Sequence, residues 1–479
     1  MLAAAVIVAG ACGTVAATPT ETTGPTHSPS STYSPSPTYS TAPTSSPSPS
    51  DTASPTGTGA PASFELAMGR APLLAPAADL GVGAGTEIND FGFDLLRRLP
   101  STGNLCASPA SVALALAMVR AGAQGTTATE MDKVLHGLGA DGQASEIVAL
   151  LKTLDSQTSS DDSGWQPSDP AATPDPAVKD PAVELDVSNA VFSQQGMSLE
   201  QAYLDALSSG FGAGVGLLDF MKDPEAARLT INRWASDRTH GRIPEILQPG
   251  VVDEYWRIAL ANAIYLKAGW TSPFDPAQTR SLRFTRADGS SVSVPTMAET
   301  SALQYSAGIG YHAVDLPMGG NYGSLSMTIV VPDDMSSFVK GLTAAKLDGI
   351  AKQSRLYDVD LTLPRFSTDS TFDLATVLKT MGMPAAFDPI KADLSGITTD
   401  QKLFIKAVIH EANIDVVEQG TTAAAVTVVG VGTMGGGPGP TPPPHVQFHV
   451  TRPFLYFVRE RITGAVLFMG RIADPSAKN

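Results

Sequence analysis

Ile88, Phe91, Leu95 and Leu99 recur at helical spacing in INDFGFDLLRRLP, and Pro100 closes the run, so this stretch predicts an amphipathic helix. Ser108-Pro109 then has the chemistry of a helix start: a hydroxyl to cap free N–H groups, followed by proline at the first helical position. The SVALALAMVRAG that follows is apolar on every face and predicts a central helix rather than a surface one. Asp223-Pro224 opens another helix, carrying Asn232 and Trp234 and stopping near Gly241. After that the pattern turns to strands: IALANAIYLKA (258–268), SMTIVVP (326–332), VDLTLP (359–364), HEANIDVVE (410–418), VQFHV (446–450), FLYFVRE (454–460) and AVLFMGRI (465–472). Helices first, then mostly non-consecutive strands, predict one large α+β domain rather than alternating βαβ units. Within the first of these strands Asn262 shares a face with Ile258, Leu260, Ile264 and Leu266, so it is expected to be buried and to need partners.

One segment fits neither a loop nor a strand alone. From Gly420 to Gly437 there is no charge, proline or aromatic residue. Thr421, Ala423, Ala425, Thr427 and Val429 form one row of a period-2 pattern, and Thr422, Ala424, Val426 and Val428 form the other. Both rows are small or β-branched, as in a strand buried on both faces. The same segment runs into GGGPGPTPPP, which belongs on an exposed loop. A chain that reads as loop and as buried strand is suited to occupy either state.

Length and charge narrow the class. The chain has 479 residues with a net charge of −16, which argues against nucleic acid or an anionic membrane surface as partner. Residues 1–17 resemble a signal peptide, apolar but short for a membrane span. Ala9-Gly10-Ala11 before Cys12 loosely matches a lipoprotein cleavage box, which would attach Cys12 to a membrane through lipid; an ordinary secretory signal is the alternative. Residues 18–62 are Thr, Ser, Pro, Ala and Gly almost throughout, a composition that cannot offset its ordering entropy and predicts an extended linker. The globular domain is expected over 63–479, with a polar insertion at about 156–181 that carries Trp165. The expected location is outside the cell, secreted or tethered to the envelope. The two cysteines make no disulfide framework, and Cys106 in its apolar run reads as a small buried hydrophobe.

Enzyme motifs are scarce. There is no Gly-x-Ser-x-Gly, phosphate loop or His-Glu-x-x-His, and His410-Glu411 lacks a second histidine. Asp90-Phe91-Gly92 lies in the first amphipathic helix without kinase partners. His445 and His449 flank a strand without a third ligand, so they read as surface residues rather than a metal site. The expectation is a non-enzyme with no cofactor and no metal.

A series of short motifs points further. Asn104-Leu-Cys-Ala-Ser108-Pro109-Ala-Ser111-Val112 comes first, then Asn232-x-Trp234 with Thr239-x-Gly241-x-Ile243. Asn262-Ala-Ile-Tyr-Leu-Lys267-Ala-Gly-Trp270 follows, with Phe274 and Thr279. Leu363-Pro364-Arg365-Phe366, Ala392-Asp393-Leu394-Ser395-Gly396, His410, Glu418-Gln-Gly420-Thr421, Arg452-Pro453-Phe454 and Phe468-Met-Gly470-Arg471 complete the series. In this order and spacing they resemble the serpin family of protease inhibitors, over about residues 86–476.

The resemblance implies a serpin fold: three β-sheets, about nine helices and an exposed reactive-centre loop at about 418–445. It implies an irreversible suicide-substrate inhibitor, a monomer whose partner is a serine protease held in a covalent complex. On cleavage the loop would enter the large sheet as a new strand, a behaviour that serves as a general example of stored strain. The hinge would comprise Glu418, Gly420, Thr421, Thr422, Ala423, Ala424 and Ala425. Ser108, Ser111, Asn262 and His410 match the family's shutter cluster; Arg365 and Trp270, with Glu418, match its breach. Glu411 departs from the family's usual lysine after the histidine, so an ion pair made by that lysine is absent or reversed. The family's usual spacing puts the reactive bond at Met434–Gly435, with Val431 and Thr433 as fallbacks because the distal loop is lengthened. From Gln419 to Val450 there is no Arg or Lys, which favours chymotrypsin-, elastase- or subtilisin-like targets over trypsin-like ones. The alternative is a non-inhibitory serpin acting as a binding or chaperone-like protein.

Overall fold

Cap chemistry starts the central helices. A computed structural model describes residues 63–157, 183–319, 324–421 and 442–477. The signal and linker, Cys12, Trp165, Thr422–Ala425, Val431, Thr433, Met434 and Gly435 lie outside the described residues. Among the described residues are nine α-helices: α1 (Val82–Leu96), α2 (Pro109–Arg120), α3 (Gly125–Val134), α4 (Ala144–Asp155), α5 (Gln201–Phe211), α6 (Pro224–Arg238), α7 (Met335–Lys340), α8 (Ala344–Gln353) and α9 (Ala375–Met381). The Ser108 hydroxyl accepts the Ser111 N–H at 3.2 Å to begin α2, and Asp223 does the same for Ala226 at 2.9 Å to begin α6. Every residue of α2 is buried, as its all-round apolar sequence requires, and it packs against α1 and against strands of both sheets.

The strands are β1 (Glu65–Ala67), β2 (Leu105–Ala107), β3 (Val183–Gln194), β4 (Val215–Leu218), β5 (Ile258–Gly269), β6 (Arg280–Thr285), β7 (Ser291–Gly308) and β8 (Tyr311–Met318). They continue with β9 (Leu325–Pro332), β10 (Arg355–Pro364), β11 (Phe366–Asp373), β12 (Ile409–Val417), β13 (Gly420–Thr421), β14 (His445–His449), β15 (Phe454–Glu460) and β16 (Val466–Ile472). All seven strands read from the sequence are present, shifted by a few residues at their ends. Among the strands not read from the sequence is β1, which adds an edge to the large sheet by pairing antiparallel with β4.

The large sheet has seven strands in the order β1-β4-β3-β5-β13-β12-β11. Eight further strands run β14-β10-β7-β8-β9-β15-β16-β2, with β6 paired to β7. The two smaller expected sheets share β7, whose eighteen residues pair first with β6 and β10 and then with β8, so they form one hydrogen-bonded network. The core of β9, β15 and β16 is buried throughout and backs α1 and α2. Cys106 sits in this core, and burial pushes its thiol up to about 12, which leaves it inert.

Candidate functional site

The seam between β5 and β12 is the part of the large sheet where the chemistry gathers. β12 ends at Val417, the chain turns at Glu418–Gln419, and Gly420–Thr421 run back as β13. Thr421 pairs antiparallel with Val416 on one side and with Ala268 on the other; Gly420 pairs with Val417 and Gly269. Both flanking strands are therefore parallel to each other, and β13 opposes both. Beyond this two-residue wedge, no ladder joins β5 to β12 among the described residues. A slot of about 10 Å³ separates them between Ile264–Leu266 and Asn413–Asp415, with Phe468 of β16 and Arg242 among its lining.

Only glycine fits the first wedge position. Gly420 has φ +137°, a conformation L side chains rarely adopt, and a Cβ there would run into the Ala268 carbonyl oxygen and the Gly269 Cα. Thr421 is 1% exposed, yet its hydroxyl is satisfied: it accepts from the Ala268 N–H at 3.2 Å and donates to the Ala268 carbonyl at 3.3 Å. Glu418 and Thr421, both counted in the expected loop, are buried. Thr421 is buried because it fills strand-pairing positions between β5 and β12, and Glu418 because Arg365, Thr279 and the Phe274 N–H close around the turn.

Around the wedge is a polar collar. Glu418 is 2% exposed and accepts from Arg365 Nε at 2.7 Å and from the Thr279 hydroxyl. Burial alone would raise its carboxyl, but the hydrogen bonds from Arg365 and Thr279 outweigh it and hold the group below its ordinary value. The indole of Trp270 donates to the Val417 carbonyl at 2.9 Å, and the Trp270 and Phe274 N–H groups donate to the carbonyls of Gln419 and Glu418, each at 3.0 Å. The turn is therefore held by side chains and backbone from three separate stretches. Arg365, Trp270 and Glu418, which the resemblance groups, are together; Thr279, from the same motif series, completes the set.

Farther along the seam lies a second cluster, under the sheet. The Ser108 N–H donates to His410 Nε2 at 3.0 Å, and His410 Nδ1 faces Asn262 Oδ1 at 3.4 Å. A backbone N–H can only donate, so Nε2 is the bare nitrogen and the proton sits on Nδ1, facing Asn262. His410 is wholly buried, which lowers its pKa to about 4 and keeps it neutral. Asn262 is 2% exposed and finds its expected partner in His410. Ser108 and Ser111 are also buried, and the Ser111 hydroxyl has no hydrogen-bond partner among the described residues. One imidazole thus ties the start of α2 to β5 and β12.

On the outer face of β12, burial and then the charge of Asp369 push the Glu411 carboxyl up to about 7. Where the family's lysine would bring a positive charge, this chain has an acid beside an acid. His445 and His449 sit on β14 opposite Asp358 and Asp360 of β10, at 3.2 and 3.6 Å, and the described residues hold no cluster suited to a metal.

Comparison with known proteins fits this geometry. Residues 86–475 match the family model described as Serpin (serine protease inhibitor). The chain is 30% identical over 397 residues to leukocyte elastase inhibitor of Xenopus tropicalis, covering 80% of this chain and 97% of that protein. It is 34% identical over 394 residues to a serpin-like protein of Thermococcus kodakarensis, covering 81% of this chain and 85% of the other. Among solved structures, a thermophilic serpin, tengpin, in the native state shares the fold at TM-score 0.70 and 23% identity, covering 85% of this chain and 97% of that one. Native protease nexin-1 with heparin matches at TM-score 0.67 and 27% identity, covering 82% and 100%.

Proposed function

The chain belongs to the serpin family of serine protease inhibitors, and we propose that it is an irreversible suicide-substrate inhibitor working by strand insertion at the β5–β12 seam. The observation that supports this most is the wedge: the first two residues of the proposed loop already pair between β5 and β12, antiparallel to both. Residues that follow need no change of direction to continue as a full strand, and their two small rows fit a sheet interior.

The protease serine attacks the carbonyl carbon of the scissile bond, the ester acyl-enzyme forms, and the amine of the C-terminal segment leaves. The freed segment then zips down the seam from Thr421. At about 3.3 Å per residue, some fourteen residues carry the acylated protease roughly 45–50 Å. Gly420 is the hinge, with Glu418, Thr421, Thr422, Ala423, Ala424 and Ala425 passing after or around it. Arg365 and Trp270 steady the breach, and Ser108, Ser111, Asn262 and His410 form the shutter. The reactive bond is Met434–Gly435, with Val431 or Thr433 next. A methionine side chain and a loop without basic residues suit an elastase-, chymotrypsin- or subtilisin-like cleft. The protein acts as a monomer outside the cell, secreted or tethered through Cys12.

The test is direct. Mixed with elastase, chymotrypsin or subtilisin, the protein forms a band of summed mass on denaturing gels, and mass spectrometry of the released C-terminal fragment reads the bond. Cleavage of the loop by all three without any covalent band would refute the inhibitor. Met434→Arg gives activity against trypsin that the parent lacks; an unmoved ranking of proteases places the cut elsewhere.

A further inference from the structure

β12 presents two rows of side chains. His410, Ala412, Ile414 and Val416 are buried on its inner face, and Ile409, Glu411, Asn413 and Asp415 are half-buried on its outer face. Register fixes what lies across the seam from Glu411. Thr421 is level with Val416 of β12 and with Ala268 of β5, and those two strands run parallel, so five residues farther down Glu411 is level with Ala263. One step beyond, Asn262 is level with His410, and there the two side chains face each other. Ala261 and Ala263 belong to an apolar cluster that Ile409 packs against. The charged and titratable groups around Glu411 share its sign or are turned to other partners. Asp369 of β11 is an acid two residues from Thr371, the ladder partner of Glu411. Asp415 holds Arg242 at 2.7 Å, Asp253 holds Lys406 at 2.6 Å, Glu184 holds Lys267 of β5 at 2.5 Å, and Tyr265 lies against His240 with ring centres 4.4 Å apart. Among the described residues, none brings a positive charge to Glu411.

We propose that Glu411 must carry a proton for a strand to settle between β5 and β12, so that insertion takes up a proton at this side chain and trapping of the protease falls as the medium turns alkaline. The inference rests on the insertion mechanism proposed above and adds a regulator of that same seam. Continuing from Thr421 in the antiparallel register brings Val426 between Glu411 and Ala263, with Thr422, Ala424 and Val428 in the same outer row. That row carries no charge. A carboxylate closed in by valine and alanine loses water and gains no partner, whereas the neutral acid tolerates the change. In the closed sheet, burial and then the charge of Asp369 already hold the group at about 7. The inserted strand buries it further, toward the range of about 8–9 that enclosed glutamates reach. Below about 7 both forms of the sheet hold the proton, and pH has no effect. Above it the closed sheet has shed the proton and the inserted sheet must recover it, so insertion weakens by up to about tenfold per pH unit.

Thermolysin, a zinc protease, cuts a loop without forming an acyl-enzyme, so insertion can be followed apart from trapping. A pH-stat at about pH 7.5 counts protons exchanged per chain cleaved, with mass spectrometry for the bond and melting temperature for insertion; hydrolysis itself contributes equally in every variant. The parent takes up about half a proton more than Glu411→Gln. Glu299→Gln removes a carboxyl also held at about 7, but on β7 in the other sheet, and it matches the parent. Against subtilisin, the number of chains consumed per protease trapped rises about threefold in the parent relative to Glu411→Gln between pH 7 and 8.5. A gain of stability on cleavage with equal proton uptake in parent and Glu411→Gln, or an equal loss of uptake in Glu299→Gln, overturns the inference and leaves insertion standing. A trapping ratio that stays flat across that pH range overturns the link from proton to inhibition. Cleavage that raises no melting temperature removes insertion and this inference with it. Proton uptake without any covalent band keeps the inference and removes the suicide-inhibitor reading.

Discussion

The two ends of the β5–β12 seam are held by opposite kinds of chemistry. At the head, a charged carboxylate is buried against a guanidinium and a hydroxyl, and two loop residues already fill the sheet. In the middle, a neutral imidazole joins Ser108 and Asn262 with no charge and no strand between. At the head Gly420 and Thr421 satisfy the edges of β5 and β12, the arrangement the proposed insertion would extend. The middle is a closure that a neutral pair can release, since parting two uncharged groups leaves no bare ion in the sheet. On the proposed insertion mechanism, a seam filled at one end and held by a neutral cluster farther along is expected to open from the head.

The sharpest way to break this contrast is Thr421→Arg. Its place is buried on both sides, so an unpartnered guanidinium costs about 3–5 kcal/mol of wedge docking. The variant is still cleaved but yields substrate turnover rather than covalent complex; unchanged stoichiometry of trapping would show that docking of Thr421 between β5 and β12 does not govern insertion.

Next in size is the pH response of His410. Its folded pKa of about 4 lies below the unfolded value near 6.5, so both states are neutral above that value. As pH falls from 6.5 toward 4 the unfolded chain takes up the proton first, and stability drops by up to about 3 kcal/mol. Parent and His410→Gln should therefore differ in their pH dependence of denaturation midpoint in that window. Parallel curves would mean that the imidazole is not held neutral.

Glu418→Gln tests the charged end with a smaller effect, about 1–2 kcal/mol at neutral pH, because Arg365 keeps access to solvent. The folded pKa of Glu418 is depressed, so the carboxylate's contribution is present above its unfolded value and fades as pH falls through the folded one. The gap between parent and variant closes in acid; a gap that widens there contradicts the ion-paired head.

The smallest effect belongs to Glu411, on the outer face. Its folded pKa of about 7 lies above the ordinary carboxylate value, so it is harmless in acid and costs stability as pH rises through 7. Glu411→Gln should be more stable than the parent by about 1 kcal/mol at pH 8, after allowance for its contact with solvent, and no more stable at pH 4.5. Equal midpoints at both values would mean that burial and Asp369 do not raise the Glu411 carboxyl.

Periodicity and caps alone revealed α2, α6 and all seven strands read from the chain, because those signals lie within a few consecutive residues. Asn262 could be read as buried from its strand face, and its grouping with His410 came from the order of motifs. The small uncharged rows after Gly420 suit either a loop or a buried strand, an expectation carried by composition alone. What tertiary structure decided was every relation between distant parts. Nothing local tells that Arg242 meets Asp415, 173 residues away, since an outward aspartate on a half-buried strand looks like any solvated charge. Nor does a glycine reveal that the Ala268 carbonyl lies where its Cβ would be, or a histidine that its Nε2 accepts a hydrogen bond from a backbone N–H. Sequence patterns determine which stretches can be helix, strand or threadable loop. Which edges face each other, and so which groups are buried, charged or neutral, follows only from the packing of strands that are far apart in the chain.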